Sequence, residues 1–350
     1  MPRARNSENR GLPTRWKYEH GAYYYQVPVG RESAWNNKKK FRLGSSLPEA
    51  YRTWADRIGT IDIAKTVGAL LDRYVLQVIP EKKVTTQNHN RVAIKPLRAV
   101  FSDMPLINIK PMHVYQYIDK RGGTTGARRE IEILSHAFTK AVEWGYIHKH
   151  PFKGEIRLRG EKPRTRYVED WEIVECLSLE SKRKVGSVLA VQAYVRLKLL
   201  TGMRLGDMLR LTMSDIQDDG IHVTPGKTET TTGQSIIIKW SEELNAAVAM
   251  AKAVRPVKLS PFLFCTRDGK GYFNEDTGRA GGWESLWRGF MARVMTETKI
   301  TERFTEHDLR AKCASDAKTL EHAQQLLSHA DSKITKRVYR RKAEVINPLR

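Results

Sequence analysis

The 350-residue chain carries 61 Lys+Arg against 39 Asp+Glu, a formal net charge of +22, and 40% of its residues are hydrophobic. At about 150 residues per domain this length implies two or three globular cores, and the charge excess argues against a chain that handles neutral metabolites and for a polyanionic partner. No stretch approaches the roughly 18 consecutive apolar residues of a membrane span, and the opening MPRARNSENR lacks a secretory apolar core, so a soluble cytoplasmic protein is expected. Cys176, Cys265 and Cys313 are odd in number and far apart, which fits neither a disulfide framework nor a zinc-type CxxC pair.

The charge is graded along the chain. Residues 1–60 hold 12 basic and 5 acidic side chains and residues 61–160 hold 17 and 9, so the front of the chain carries most of the excess. Phosphate-gripping modules are therefore expected first, followed by a module with a more balanced surface. In the opening segment, Trp16 and Tyr18, then Tyr23, Tyr24, Tyr25 and Val27, then Trp35 and Phe41 around Lys38, Lys39 and Lys40 read as strands with a turn at Gly30. Ser46 and Glu49 have capping-box spacing, and Leu47, Tyr51, Trp54 and Ile58 follow on one helical face. The aromatics are needed as core in so small a unit, and the lysines are candidates for DNA contact.

From Ile61 the period is helical. Val67, Leu70, Leu71, Tyr74 and Val78 form one stripe, with Val92, Leu97 and Phe101 in a second helix. Pro111 opens a third helix, where its missing N–H costs nothing. Ile131, Leu134, Phe138, Ala141 and Val142 mark a fourth, on which Arg128 and Arg129 offer a basic face. His148 and His150, lacking further ligands nearby, read as surface residues rather than a metal site. Lys149 to Arg166 is poor in large apolar residues and reads as a basic interdomain linker. Val168, Trp171, Ile173, Val174 and Leu177 then begin another helix, and Val185 to Leu200 supplies the most hydrophobic one.

That helix stops at Gly202, and a new one starts within TGMRLGDMLRL, with Leu205, Met208, Leu209 and Leu211 inward. Arg204 stands at the helix start, where the macrodipole disfavours a cation, so an anion held there by guanidinium and free N–H groups would account for it. Asp207, one turn on, can brace that guanidinium. IHVTPGKTETTTGQSIIIKW reads as a hairpin with Lys227 at its tip and Ile236 and Ile238 in its second strand. In TEHDLR, His307 and Arg310 share a helix face. LLSHADSKITKRVYRRK places His329 at a helix end, Ser332 as an N-cap, and Tyr339 on a following basic helix. A phenol is a poor nucleophile unless positive charge gathers around it.

The ordered set Arg204, Lys227, His307, Arg310, His329 and Tyr339 resembles the active site of the tyrosine recombinases, the lambda-type phage integrases in particular. The spacing of ten positions from His329 to Tyr339 is one longer than in near relatives. The resemblance implies a multidomain, mainly α chain with small β-sheets. Residues 1–60 would be an arm-type DNA-binding domain of sheet plus helix, 61–155 an all-α core-binding domain, and 156–350 an α+β catalytic domain.

The same resemblance implies that Tyr339 attacks a DNA phosphodiester to give a 3′-phosphotyrosyl enzyme, with Arg204 and Arg310 clamping the phosphate and Lys227 protonating the departing 5′-oxygen. His307 would assist proton transfer or donate to the phosphate, and His329 would hold a phosphate oxygen. No metal or other cofactor is implied. The expected partners are double-stranded attachment sites of core and arm type, three further copies of the chain in a tetramer, a host DNA-bending protein and an excisionase. Two rival readings remain at this stage: a type IB topoisomerase that nicks and reseals, and a noncatalytic DNA-binding regulator.

Overall fold

The structure, a computed structural model, describes residue 9 and residues 12–29, 32–58, 66–158, 162–181, 186–226, 235–329, 331–343 and 348–349. Lys227, at the expected hairpin tip, and the expected turn at Gly30 lie outside them. The chain divides into two units, Met1–Glu161 and Lys162–Arg350. It is mostly helical, with one three-stranded antiparallel sheet in each unit.

In the first unit, β1 (Trp16–Glu19), β2 (Ala22–Gln26) and β3 (Lys40–Gly44) pair in sequence order, and β1 and β2 are joined by the two-residue turn His20–Gly21. Both turn residues have positive φ, 50° and 71°, the backbone that matches the twist of a tight hairpin. α1 (Leu47–Ile58) packs on this sheet and closes a core of Trp16, Trp35, Leu43 and Trp54. Its start is capped in two places: Ser46 Oγ accepts from Glu49 N at 3.3 Å, and the Glu49 carboxylate accepts from Ser45 N at 2.9 Å. Leu47, expected on the buried face, is exposed, and Ala50 takes its place beside Trp54.

Four helices follow: α2 (Val67–Gln77), α3 (Val84–Phe101), α4 (Pro111–Lys120) and α5 (Thr125–Glu143). Thr66 and Thr124 cap α2 and α5 through their side chains, and Pro111 occupies the first position of α4 as its lack of an N–H favours. The buried stripe of α3 is Ile94, Leu97 and Phe101, at intervals of three and four; Val92 falls off that stripe and is exposed. Arg128 is half-buried on α5 and Arg129 exposed.

The segment read as a linker from Lys149 instead begins inside this unit, because Phe152 is fully buried and Ile156 and Leu158 pack on the helical core. His150 is likewise not a surface residue. Its Nδ1 accepts from Phe152 N and Lys153 N at 3.2 and 2.9 Å, which leaves Nε2–H to donate to Ser135 O at 2.9 Å.

The second unit holds α6 (Asp170–Ser178), α7 (Ser187–Thr201), α8 (Leu205–Arg210), β4 (Ile216–Gln217), β5 (Gly220–Val223), β6 (Ile236–Ile238), α9 (Glu242–Ala253), α10 (Gly281–Glu297), α11 (Glu306–Asp316), α12 (Leu320–Leu327) and the single turn α13 (Ser332–Ile334). α7 is the central rod. Val191, Ala193, Tyr194, Val195 and Leu197 are fully buried, and α9, α10 and α11 pack around it. β5 and β6 form the predicted hairpin, Val223 facing Ile236. On α6 the inward residues are Ile173 and Cys176, whereas Trp171 and Val174 are exposed, against the pattern read from sequence. The cap of α13 is Asp331, whose side chain accepts from Lys333 N at 2.8 Å; Ser332, expected as the cap, is the first helical residue.

Candidate active site

Three chain turns deliver the functional groups. α7 ends in a left-handed residue, Gly202 (φ 62°), the reversal that glycine makes without steric cost. Two positions later Arg204 is the extended N-cap of α8. Its half-buried guanidinium lies 4.0 Å from Asp207, a long ion pair. Asp207 has a second task, accepting from Gly226 N at 3.1 Å, so it ties the segment that follows β5, just before Lys227 in sequence, to the helix carrying Arg204.

α11 begins with a capping box in which Thr305 Oγ1 accepts from Asp308 N while the Asp308 carboxylate accepts from Thr305 N and Oγ1. With that start fixed, His307 and Arg310 fall one turn apart. Arg310 is almost fully buried. Its guanidinium donates to Gly202 O, to Leu327 O at 2.7 Å and to His329 Nε2 at 3.3 Å. Because a guanidinium only donates, His329 Nε2 accepts and its Nδ1–H donates to Thr335 Oγ1 at 2.8 Å. Burial, with the nearby charge of Arg204, lowers the Arg310 pKa to about 10, still charged at neutral pH. Its Nε is buried without a hydrogen-bond partner. Two cations held this close are the arrangement that a bound anion relieves.

Tyr339 ends a five-residue π-helical turn, Thr335–Tyr339, which follows α13 directly. Wide turns of this kind re-aim a side chain within an otherwise helical run. Its ring lies between His307 and His329, with centroids 5.0 and 4.9 Å away, and the Arg310 guanidinium is 5.5 Å from its centre. Its hydroxyl is 3.0 Å from His307 Nε2. Burial, helped by Arg341 and Arg310, lowers the His307 pKa to about 4, so the imidazole facing the phenol is neutral at pH 7. The aliphatic floor is Ala314, Ala323 and Leu327.

Five of the six residues picked from sequence are described, and four of them, His307, Arg310, His329 and Tyr339, touch one another. Arg204 stands near enough for its charge to act on Arg310. Three further features were missed in the sequence. Thr335 holds His329, although one threonine among many gives no signal. Arg341, hidden in the run Arg340–Lys342, is bonded to Asp308. Beneath Arg310, Lys198 is buried, donates to Tyr194 Oη at 3.1 Å, and through that hydroxyl reaches Glu306. A lone lysine in an apolar helix was the available clue to the last.

Residues 180–345 match the model of the phage integrase family. Over those residues, a little under half of its length, the chain is similar to that family. Among its relatives, the integrase of Enterobacteria phage 434 is 27% identical over 244 residues, covering 65% of this chain and 66% of that protein. The integrase of Escherichia phage lambda is 26% identical over a span of the same length and coverage. The match thus spans just under two thirds of these relatives. Among solved structures, a lambda integrase tetramer bound to a Holliday junction superposes with a TM-score of 0.63 at 21% identity, covering 99% of both chains. A Tn1549 transposon integrase in complex with circular intermediate DNA gives 0.60 at 15% identity, covering 81% of this chain and 97% of that one. At such identities the likeness is one of fold, and the fold class expected from the sequence is the one found. Among the described residues, no helix is long and apolar enough to cross a membrane and no cluster of His, Cys, Asp and Glu could hold a metal ion.

Proposed function

We propose that this protein is a site-specific DNA recombinase that cuts and rejoins strands through a tyrosyl intermediate. The observation that carries the reading is the placement of the Tyr339 hydroxyl against His307 while Arg310 and His329 pack on the same ring. Tyr339 Oη forms the bond to phosphorus and the P–O5′ bond breaks, leaving a 3′-phosphotyrosyl link and a 5′-hydroxyl. The phenolic proton leaves by way of neutral His307, which accepts it at Nε2 in the tautomer that carries its own hydrogen on Nδ1. Lys227 supplies the proton to the 5′-oxygen, and a 5′-hydroxyl from a partner strand reverses the sequence to rejoin DNA. Arg204 and Arg310 neutralise the nonbridging oxygens as charge builds on them, and His329, when protonated at Nε2, donates to the same oxygens. Loss of either arginine would raise the barrier by roughly 3 kcal/mol.

In this reading residues 1–60 bind arm-type sites through groups such as Lys38 and Lys39, residues 61–155 bind core-type sites with Arg128 and Arg129 on one face, and residues 156–350 carry the chemistry. Four copies would hold two duplexes in a four-way junction, integrating and excising the DNA of a mobile element. The lambda relative is solved as a tetramer bound to a Holliday junction and as a dimer bound to a COC′ core site. A DNA-bending host protein and an excisionase would complete the assembly.

Sequencing the DNA junctions made in cells that express the protein identifies its site. A nicked duplex of that sequence then discriminates among mechanisms. A recombinase traps a covalent adduct and forms four-way junctions, a topoisomerase only relaxes supercoils, and a noncatalytic binder does neither.

A further inference from the structure

The segment that carries Tyr339 is short and follows a single helical turn, so its own backbone hydrogen bonds hold it weakly. What fixes it lies just beyond the tyrosine. Arg341 and Asp308 form an ion pair at 2.6 Å in which both side chains are nearly inaccessible, 3% and 0% exposed. Arg341 Nη1 also donates to Arg166 O at 3.0 Å, and its Nε donates to Val338 O at 3.0 Å. Its backbone N donates to Ser315 Oγ at 2.8 Å, and that same hydroxyl donates to Tyr339 O at 2.9 Å. The donor atoms of Arg341 thus engage α11, the segment before α6, and the tyrosine's own turn.

Asp308 is a hub suited to this task. It closes the capping box that starts α11 and lies next to His307 in sequence, and Arg164 reaches it at 3.1 Å. Burial alone would raise its carboxyl, but Arg341, Thr305 and Arg164 together hold it below the ordinary aspartate range. Arg341 Nη2 comes within 3.5 Å of His307 Nδ1, so the same guanidinium borders both the nucleophile's segment and the imidazole. Two residues of chain span at most about 7 Å. Fixing Arg341 therefore confines Tyr339 to the neighbourhood of His307.

We propose that Arg341 is a positioning residue, and that its buried pair with Asp308 latches the Tyr339 turn onto α11 so that the phenol meets His307. The proposal rests on the recombinase reading for its consequence, while the latch itself is a property of the protein alone. An unpaired buried charge is strongly disfavoured, so breaking the pair releases the turn rather than leaving it in place.

The test uses the full chain with Arg341→Met, Arg341→Lys and Asp308→Asn, read in two ways. The first is chymotryptic cleavage after Tyr339 without DNA: wild type should be protected, and Arg341→Met and Asp308→Asn cut at least about tenfold faster, because cleavage follows the population of the open segment. The second is single-turnover adduct formation on the nicked duplex of the recovered junction sequence. There Arg341→Met should fall by about 10- to 100-fold, the scale of a displaced reacting group, with DNA affinity unchanged and Arg341→Lys partly restored. The pH profile should change too. Lys198, Arg310, Asp308, Arg341 and Tyr339 surround or border His307, and removing the Arg341 charge lets its pKa rise from about 4 towards the ordinary value. An acid-side fall in rate should therefore move to higher pH in Arg341→Met, which simple unfolding does not produce. Unchanged protection and unchanged rate in Arg341→Met overturn the latch. If wild type forms no adduct, the recombinase reading fails and the protease arm alone judges the latch. If Arg341→Met does not fold, the same two readings on Arg341→Lys and Asp308→Asn decide, wild-type values in both overturning it.

Discussion

Tyr339 Oη lies 3.0 Å from His307 Nε2 although 32 positions of chain separate them. A contact of that length between a phenol and a neutral imidazole is one hydrogen bond from proton transfer. Tyr339→Phe removes the one oxygen the proposed reaction needs while keeping the ring that packs on Ala314, Ala323 and Leu327. The variant should bind the junction-sequence duplex as wild type does and yield no adduct resistant to denaturing gel electrophoresis. An adduct persisting in it would remove Tyr339 from its role.

Gly202 combines two demands that no other residue meets. Its φ of 62° is left-handed, and a Cβ there would stand 3.0 Å from Leu327 Cδ2 and 3.2 Å from Cys313 Sγ. Its carbonyl accepts from Arg310. Gly202→Ala should destabilise the chain by about 1–2 kcal/mol from the backbone alone. It should also slow adduct formation, because the carbonyl that seats Arg310 moves. Urea unfolding midpoints and single-turnover rates measure the two effects; an unshifted midpoint would show that the turn relaxes freely.

The three lysines that lead into β3, Lys40 being its first residue, should differ in their contribution to DNA binding. Lys40 pairs with Glu19 and sits 4.4 Å from the centre of the Tyr24 ring, whereas Lys38 and Lys39 are exposed on the preceding turn. Each phosphate contact contributes about −0.9 to the slope of log affinity against log salt. The double variant Lys38→Gln/Lys39→Gln should therefore flatten that slope by up to roughly 2 on an arm-site duplex, and Lys40→Gln should change it less. Equal slopes for wild type and the double variant would take this segment out of the interface.

What the sequence disclosed and what it hid follow one rule. Local chemistry was readable: Gly202 as a helix stop, Pro111 as a helix start, the Val223–Ile236 hairpin, and the aromatic core around Trp16 and Trp54. So were the identities of the residues that meet at Tyr339, because their order matches a family pattern. Partnerships between distant charges were not readable. Nothing in the run Arg340–Lys342 distinguishes Arg341, whose side chain is buried, from half-buried Arg340 and exposed Lys342, and the lone lysine in LKLL does not name the partner that Lys198 meets. Helical faces were misjudged where apolar residues outnumbered inward positions, as with Val92 and with Trp171 and Val174. A residue's burial is decided by the neighbour that covers it, which a single segment does not encode.

Lys198 offers the sharpest electrostatic test. It lies in the middle of α7, bonded to Tyr194 Oη, and burial lowers its pKa to about 7, with Glu306 opposing that shift and Arg310 reinforcing it. The unfolded chain binds the lysine proton up to about pH 10.4, so between the two values the unfolded state holds more protons and stability rises with pH. Glu306 acts with the opposite sign, since its burial raises its pKa and its effect spreads upward from the ordinary carboxylate range. Buried Cys176 and Cys313, pushed up to about 12, oppose the rise only above the ordinary thiol range near pH 8.5. From pH 7 to about 8.5 the lysine therefore adds a rise that its removal takes away. Wild type should gain resistance to urea across that interval, and Lys198→Met, which keeps the packing volume and removes the titration, should not. A parallel rise in both proteins would mean that Lys198 keeps its proton throughout, held by Glu306 through Tyr194, and that the buried pair is ionic at every pH where the protein works.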